Sequence, residues 1–162
     1  MKKLLGFIII ISFCTINNVY AQTETITGKA KEYYEKAQQG DVEAQFNLAR
    51  CYNNGEDGVY LNYEKSIYWL RKAAEQGHAQ AQYNLGFCYV NGRGVQQDYT
   101  QAVYWYRKAA EQGYAYAQYN LGVCYDNGYG VTKDIGEAIS WYRKAAAQGD
   151  ENAKEALRRL GY

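Results

Sequence analysis

Proline is absent from this sequence, and histidine occurs once, as His78. A histidine-centred catalytic site needs a nucleophile held beside that base, and His78 stands alone at a predicted helix boundary. Ser66 and Ser140 fall on a helix stripe and lack the S-x-x-K spacing of another class of nucleophile. A metal site needs several ligands that converge on one point, which one histidine does not supply. These absences predict a protein without catalytic residues, metal or cofactor.

Basic charge is not in surplus either. The chain has 18 Lys and Arg residues against 17 Asp and Glu residues, and Lys2 and Lys3 lie in a segment that we expect to be removed. The remaining 16 basic and 17 acidic residues give a net charge of −1. Without a basic surplus to neutralise phosphates, nucleic acid is not expected as a partner.

The apolar run near the N-terminus is too short to cross a membrane. Residues 4–13 form a run of about ten residues, half of what a membrane-spanning helix needs. Two lysines precede this run and the small residue Ala21 follows it, a pattern typical of a secretory signal peptide at 1–21. The alternatives are an uncleaved anchor and a lipoprotein cleaved before Cys14, although bulky Phe13 disfavours lipid attachment. We therefore expect export to the periplasm or outside the cell, with no membrane span after cleavage.

What the sequence does contain is an internal repeat. Three segments align from end to end, at 43–78, 81–114 and 117–150. Their closing glycines recur at a spacing of 36 residues, as Gly77, Gly113 and Gly149. Each segment predicts two helices, because apolar residues recur at helical spacing and a glycine follows each run.

The boundaries of these helices have recognisable signals. Asp98 with Gln101, and Asp134 with Glu137, have the capping-box spacing that begins a second helix. The "NG" that contains Gly92 ends a first helix. The Gly-x-Gly of "NGRGV" joins two helices rather than a strand to a helix, so it predicts helix termination and not a phosphate-binding loop.

The pattern predicts an all-α fold, a right-handed α-solenoid of antiparallel helix pairs with about three full repeats plus terminal half-repeats. The first helix of each pair is expected to line the concave side. A disordered lead-in at 22–28 is predicted to precede the array at 29–162. The predicted units are 41–77, 78–113 and 114–149, followed by a capping helix at 150–162.

The second helices also repeat an aromatic residue. Trp69, Trp105 and Trp141 lie just beside the core stripe, which alternates small and large residues. Such alternation lets two helices approach closely and interlock. We therefore predict that the tryptophans pack between successive units rather than bind a ligand.

The segment "AQYNLGFCYVNGRGVQQDYTQAVYWYRKAAEQGY" resembles a Sel-one-like repeat, a branch of the tetratricopeptide superfamily. The motifs A-Q-Y-N-L-G, N-G-x-G-V and W-Y-R-K-A-A-x-Q-G recur in register from Lys31 onward. The resemblance implies an adaptor that holds proteins or peptides on a concave surface. The sequence departs from the family pattern at Ala49, where the other units have Gly86 and Gly122, and at the cysteines, where relatives often carry methionine or another large apolar residue.

Cysteine stands at one fixed place in the three units, as Cys51, Cys88 and Cys124. Packed helices have axes about 8–10 Å apart, whereas a disulfide needs Cα atoms about 5.5 Å apart, so bridges between units are not expected. Cysteine-rich relatives pair cysteines between the two helices of one unit, but the second helices here carry none. We predict three free thiols packed as small hydrophobic side chains.

The face of the first helices that points away from the core is the candidate partner surface. Its mixture of Tyr, Phe and Arg with polar groups is typical of protein-binding hot spots. Twelve residues form it: Glu43, Phe46, Arg50, Asn53, Gln80, Tyr83, Phe87, Val90, Tyr116, Tyr119, Val123 and Asp126. In the alternative interpretation, Phe46, Tyr83 and Tyr119 pack sideways against the neighbouring first helix.

These observations predict an exported, monomeric, non-catalytic adaptor that binds a protein or peptide on its concave face. The main alternative is a secreted repeat protein that binds cell wall or a β-lactam ligand, with or without hydrolysis. A purely structural module of a larger assembly is a third possibility.

Overall fold

Eight helices follow one another in a computed structural model that describes residues 26–162, and no strand occurs in that range. The helices are α1 (Gly28–Gln38), α2 (Val42–Asn54), α3 (Tyr63–Glu75), α4 (Ala79–Asn91), α5 (Tyr99–Glu111), α6 (Ala115–Asn127), α7 (Ile135–Ala147) and α8 (Glu151–Arg159). Each packs chiefly on the helices before and after it in the chain. The all-α solenoid is confirmed, with three helix pairs, α2–α3, α4–α5 and α6–α7, between the half-units α1 and α8.

Residues 26–28 already pack against the helical array, whereas the sequence predicts that they precede it. Ile26 packs against the hydrophobic cluster under α1, and the amide of Thr27 donates a hydrogen bond to the carbonyl oxygen of Gly58 at 3.1 Å. The prediction of a disordered lead-in is therefore wrong for residues 26–28. The partner of this segment is the turn of the first unit, about thirty positions later, which a local sequence pattern does not reveal. The predicted signal peptide and the rest of the lead-in lie outside the described residues.

The second helices begin at the aspartates that the sequence indicates. Oδ1 of Asp98 accepts a hydrogen bond from the amide of Gln101 at 3.0 Å, and Asp134 does the same for the amide of Glu137. The backbone amide of Asp98 donates to the carbonyl oxygen of Tyr89 at 3.0 Å. This amide therefore ties α5 to α4, and the capping box is not closed by the side chain of Gln101.

The two glycines of each Gly-x-Gly turn have different structural roles. Gly92 ends α4 with a φ of 65°, the left-handed conformation that closes a helix. Gly94 has a φ of 72°, and a Cβ on it would lie 2.7 Å from the carbonyl oxygen of Tyr63, at the start of the preceding second helix. Gly130 lies in the same way against Tyr99. The second glycine therefore lets each turn lie directly on the previous unit.

The core is continuous from one unit to the next. Trp105 of α5 packs in the same cluster as Ile67 and Leu70 of α3, and Trp141 of α7 packs in the cluster of Val103. The prediction that these two tryptophans pack between units is confirmed. Trp69 is only partly buried, because just the half-unit α1 precedes it.

A buried glutamine near the start of each first helix bonds to two other helices. Gln82 is 4% exposed, its Nε2 donates to the carbonyl oxygen of Ala74 at 3.0 Å, and its Oε1 accepts from Nε2 of Gln112 at 2.7 Å. The pattern recurs in the other units, with Gln45 between Ala37 and Gln76, and Gln118 between Ala110 and Gln148. These bonds explain why Gln recurs in the motifs A-Q-Y-N-L-G and x-Q-G.

Two of the three cysteines are core residues, and the cysteine of the second unit, Cys88, lines a groove. Cys51 and Cys124 are buried, as predicted for small hydrophobic side chains, whereas Cys88 is partly exposed. Burial raises the pKa of all three thiols to about 11. Because the thiolate is the nucleophile, these groups are poorly reactive at neutral pH.

Candidate partner-binding surface

The twelve candidate residues occupy four equivalent positions of the first helices. The positions are Glu43, Gln80 and Tyr116; Phe46, Tyr83 and Tyr119; Arg50, Phe87 and Val123; and Asn53, Val90 and Asp126. All of them lie on α2, α4 and α6. Their environments differ from position to position, so the twelve do not form one uniform face.

The second position is used for packing. Phe46 is 3% exposed and stacks on the His78 ring, with centroids 4.5 Å apart. Tyr83 packs against Tyr106 and Tyr114, at centroid distances of 5.8 and 5.3 Å. Tyr119 packs against Tyr142 of its own unit, at 5.8 Å. The assignment of Phe46 to the partner surface is therefore wrong, because the next unit covers it.

The half-buried tyrosines at this position behave as packed groups as well. Burial raises the pKa of Tyr83, although a hydrogen bond with Asn120 opposes that shift. Tyr119 packs against the cluster that joins α7 to α8. The sideways-packing interpretation accounts for both side chains, with contacts to the second helix of the pair as well as to the following unit.

The fourth position is mostly covered too. Asp126 is 5% exposed, pairs with Arg159 of α8 and accepts a hydrogen bond from the Tyr142 hydroxyl at 3.3 Å. Asp126 therefore does not belong to an open binding surface. Its partner Arg159 lies 33 residues away, so a local sequence pattern does not reveal the ion pair. Val90 is half-buried against the cluster of the next unit.

The exposed part of the surface lies mainly at the first and third positions. Glu43, Gln80 and Tyr116 are exposed at the first position, and Arg50 and Phe87 at the third. Phe87 exposes 44% of its surface, which is a large fraction for a phenylalanine in a folded domain. Val123, also at the third position, is half-buried against the cluster at α7 and α8.

A groove of about 210 Å³ lies between α2 and α4. Nine residues line it: Ala49, Arg50, Asn53, Ser66, Leu70, Asn84, Phe87, Cys88 and Arg93. Leu70 and Ser66 contribute buried surface from α3, whereas Arg50 and Phe87 are exposed. The groove therefore combines apolar side chains with amides and guanidinium groups.

Arg93 and Asn84 are groove residues that the sequence analysis missed. Arg93 is the variable residue of the "NGRGV" turn, which had been interpreted only as a helix terminator. Its guanidinium lies 4.4 Å from the centroid of the Tyr63 ring and donates to the Tyr63 hydroxyl at 2.9 Å. The preceding unit thus holds Arg93 at the groove. The sequence signal for Arg93 is that the equivalent position of the next unit holds a different residue, Tyr129.

A second groove, of about 300 Å³, lies between α6 and α8. Its charged residues are Asp126, Glu155 and Arg159. Asp126 is paired with Arg159, and Glu155 with Arg158 at 2.7 Å. This groove therefore differs in electrostatics from the groove between α2 and α4, because its own lining contains the ion pair of Asp126 with Arg159.

A recess of about 860 Å³ lies between α1 and α3 on the second-helix side. Tyr34, Tyr68 and Trp69 line it together with Lys72 and Glu75. Trp105 and Trp141 have a full unit before them and are buried, whereas Trp69 has only α1. We attribute this recess to the half-unit at the end of the array.

Residues 26–162 lack both a metal-binding cluster and a membrane-spanning helix. That range has no cluster of three His, Cys, Asp or Glu residues arranged to hold a metal ion, and none of its helices is long and apolar enough for a bilayer. Ser66 is buried and its hydroxyl donates to the carbonyl oxygen of Ala49 at 2.8 Å, so it is engaged in packing. The β-lactam alternative gains no support from this serine.

Solved structures share the fold at substantial identity. A Sel1 repeat protein from Oxalobacter formigenes is 49% identical over 80% of this chain and 96% of its own, with a TM-score of 0.74. A protective antigen present in uropathogenic Escherichia coli strains, which displays an SLR fold, is 42% identical over 78% of this chain, with a TM-score of 0.75. This chain spans only 27% of that antigen. Cysteine-rich protein B of Helicobacter pylori is 27% identical, covers 78% of this chain and 96% of its own, and has a TM-score of 0.61.

The comparison with curated protein sequences gives no match. At the family level, the Sel1 repeat matches four segments, at 27–38, 42–78, 79–114 and 115–150. The first segment corresponds to α1, and the other three correspond to the helix pairs that build the grooves. These segments cover most of the sequence in one register with the helices. The chain therefore belongs to the Sel1 repeat family.

Proposed function

We propose that this protein is an exported, non-catalytic adaptor that binds an extended peptide segment of a partner protein along its first helices. Sel1 repeat proteins generally mediate protein–protein interactions and are typically non-catalytic scaffolds. The surface proposed here is narrower than the twelve residues of the sequence prediction. It lies in the nine-residue groove between α2 and α4, which we call the α2–α4 groove, and its proposed contact residues are Arg50, Asn53, Asn84, Phe87 and Arg93.

The observation that supports this proposal is the exposure of Phe87 at that groove. Its equivalents are Arg50 and Val123, so this position varies from unit to unit while the packed Leu48, Leu85 and Leu121 do not. Aromatic and arginine side chains dominate the binding energy of protein interfaces, and an exposed phenylalanine beside arginines fits such an anchor. A scaffold with constant packing and a variable surface suits an adaptor whose partner is chosen by the surface.

A site-specific photo-crosslinker tests the proposal directly. A benzoyl-phenylalanine at position 87 is expected to give discrete adducts with proteins of the cell envelope. The matched control is the same group at position 104 of α5, because Tyr104 is similarly exposed, at 49% against 44%, but lies on a second helix. Discrete adducts at position 104 with none at position 87 would contradict the proposed surface.

Export is a separate part of the proposal, and it rests on the signal peptide predicted at 1–21. Fractionation of cells that express the full chain is expected to place the protein in the periplasm or the medium. Mass spectrometry of that material should give an N-terminus at Gln22. Protein that stays in the cytoplasm with Met1 intact would overturn export without affecting the binding surface.

A further inference from the structure

The α2–α4 groove has positive charge without a counter-charge. Arg50 and Arg93 line it, and none of its nine lining residues is an aspartate or a glutamate. Arg50 is exposed and makes neither a salt bridge nor a hydrogen bond with another residue in the range 26–162. Arg93 is held by Tyr63 through its ring and hydroxyl, which leaves its charge unneutralised.

The α6–α8 groove shows that this imbalance is not general. There the arginine that lines the groove, Arg159, is paired with the lining residue Asp126. The net charge of the mature chain is close to zero, so a local pair of uncompensated arginines is a specific feature of the first groove. Local charge of one sign attracts a ligand group of the opposite sign and selects among partners.

We propose that the α2–α4 groove binds the side-chain carboxylate of an aspartate or glutamate within an extended peptide, with an apolar neighbour of that residue against Phe87. This inference rests on the proposed adaptor function and adds the chemistry of the partner. The planar guanidinium groups of Arg50 and Arg93 match a carboxylate, and Asn53 and Asn84 supply amide donors nearby.

The size of the groove agrees with one anchoring side chain. Its volume of about 210 Å³ lies below the range of about 300–1,000 Å³ that holds a drug-sized ligand. The floor contributed by Leu70 is apolar, and the guanidinium groups come from α2 and from the turn after α4. A peptide that presents a carboxylate next to an apolar side chain can contact both the guanidinium groups and the apolar floor.

Fluorescence anisotropy with defined peptide pools tests the inference. Each pool carries an N-terminal fluorescein and a C-terminal amide, so that the only variable carboxylate is a fixed central glutamate. Matched pools carry glutamine or lysine at that place, with Ala, Ser, Leu and Phe at the remaining positions. The protein is expected to bind the glutamate pool about tenfold more tightly than the glutamine pool, and the lysine pool least.

Two charge-reversal variants test whether the glutamate preference depends on the α2–α4 groove. Arg50→Glu is expected to abolish the glutamate preference, whereas Lys133→Glu, the same change on an exposed residue of the α6–α7 turn, is expected to preserve it. Because Arg50 is exposed and makes no bond in the fold, its variant should unfold at the wild-type urea concentration. Equal binding of the glutamate and glutamine pools, no binding of any pool, or equal loss of preference in both variants would overturn the inference.

The two proposals fail in different ways. Adducts at position 87 together with equal glutamate and glutamine binding would overturn the carboxylate preference and leave the adaptor surface supported. Absence of adducts at position 87 would overturn the adaptor surface itself.

Discussion

Nε2 of Gln112, at the end of α5, donates a 2.7 Å hydrogen bond to Oε1 of Gln82 in α4. Gln82 is buried and donates in turn to the carbonyl oxygen of Ala74 in the preceding unit. Two glutamines thus carry a polar link through the hydrophobic interface between units. A buried polar group without its partner costs more than a typical bond contributes, which makes this link sensitive to truncation.

Gln82→Ala is expected to lower the free energy of unfolding by about 1–3 kcal/mol, because the Ala74 carbonyl and the Gln112 amide lose their partner. Urea denaturation followed by circular dichroism measures this change. The control is Gln80→Ala, two residues away in α4 but exposed, which should stay within about 0.5 kcal/mol of wild type. Similar losses in both variants would contradict the buried link as the source of the effect.

Gly94→Ala is expected to destabilise the protein more than Gly92→Ala, although both glycines lie in one turn and have similar φ values. A Cβ at Gly92 meets nothing closer than 3.6 Å, so that variant suffers only the left-handed backbone cost of about 1–2 kcal/mol. A Cβ at Gly94 would meet the Tyr63 carbonyl oxygen at 2.7 Å and push two units apart. Urea midpoints of the two variants give the comparison, and equal midpoints would contradict the close approach.

Tyr83→Ala is expected to lower the free energy of unfolding by about 2 kcal/mol, because a half-buried ring that packs on Tyr106 and Tyr114 is removed. Phe87→Ala, four residues later on the same helix, should change stability by less than about 0.5 kcal/mol. Thermal melting separates the two. An unchanged melting temperature for Tyr83→Ala would return Tyr83 to the list of partner-binding candidates.

The three thiols are expected to differ in their rate of labelling. In the native protein Cys88, which is partly exposed in the α2–α4 groove, should react slowly, and Cys51 and Cys124 more slowly still. Denaturation should expose all of them. Timed alkylation followed by peptide mass spectrometry measures each site. Fast native labelling of Cys51 and Cys124 would contradict their burial.

Stability is expected to fall in alkaline solution. Burial raises the pKa of the three thiols to about 11 in the folded state, whereas an unfolded cysteine has a pKa of about 8.5. Below the unfolded pKa the contribution to stability is complete, and it is lost as the pH rises towards the folded pKa, because the unfolded chain releases protons first. The measurement is the free energy of unfolding by urea across that pH range.

A variant with all three cysteines replaced by alanine provides the control for this pH dependence. Its free energy of unfolding should depend less steeply on pH than that of the wild type, whatever its absolute stability. Some dependence should remain, because burial also raises the pKa of Tyr106 and Tyr142. Identical slopes for the variant and the wild type would contradict a contribution from the thiols.

The repeat period predicted the helices, their order and the packed tryptophans, because these depend on local periodicity and on contact between adjacent units. It did not predict which outward residues stay exposed. Phe46 and Arg50 lie one turn apart on α2, yet the ring of His78 covers Phe46 whereas Arg50 is exposed. Arg159, the partner of Asp126, lies on α8, and the groove residue Arg93 lies in the turn after α4. The position of a residue on its own helix does not show which side chains of neighbouring elements cover it.

The glutamine link has a consequence for how such a chain can change in length. Each link joins a first helix to the second helices on either side, and its donors and acceptors recur in every full unit. Excision of residues 79–114 would place Gln118 opposite Ala74, the same pairing that Gln82 now makes. Duplication of that block would create another identical junction. Recombination between units can therefore lengthen or shorten the solenoid without new interface chemistry, while surface features that occur once, such as the arginine pair, are created or lost in a single event.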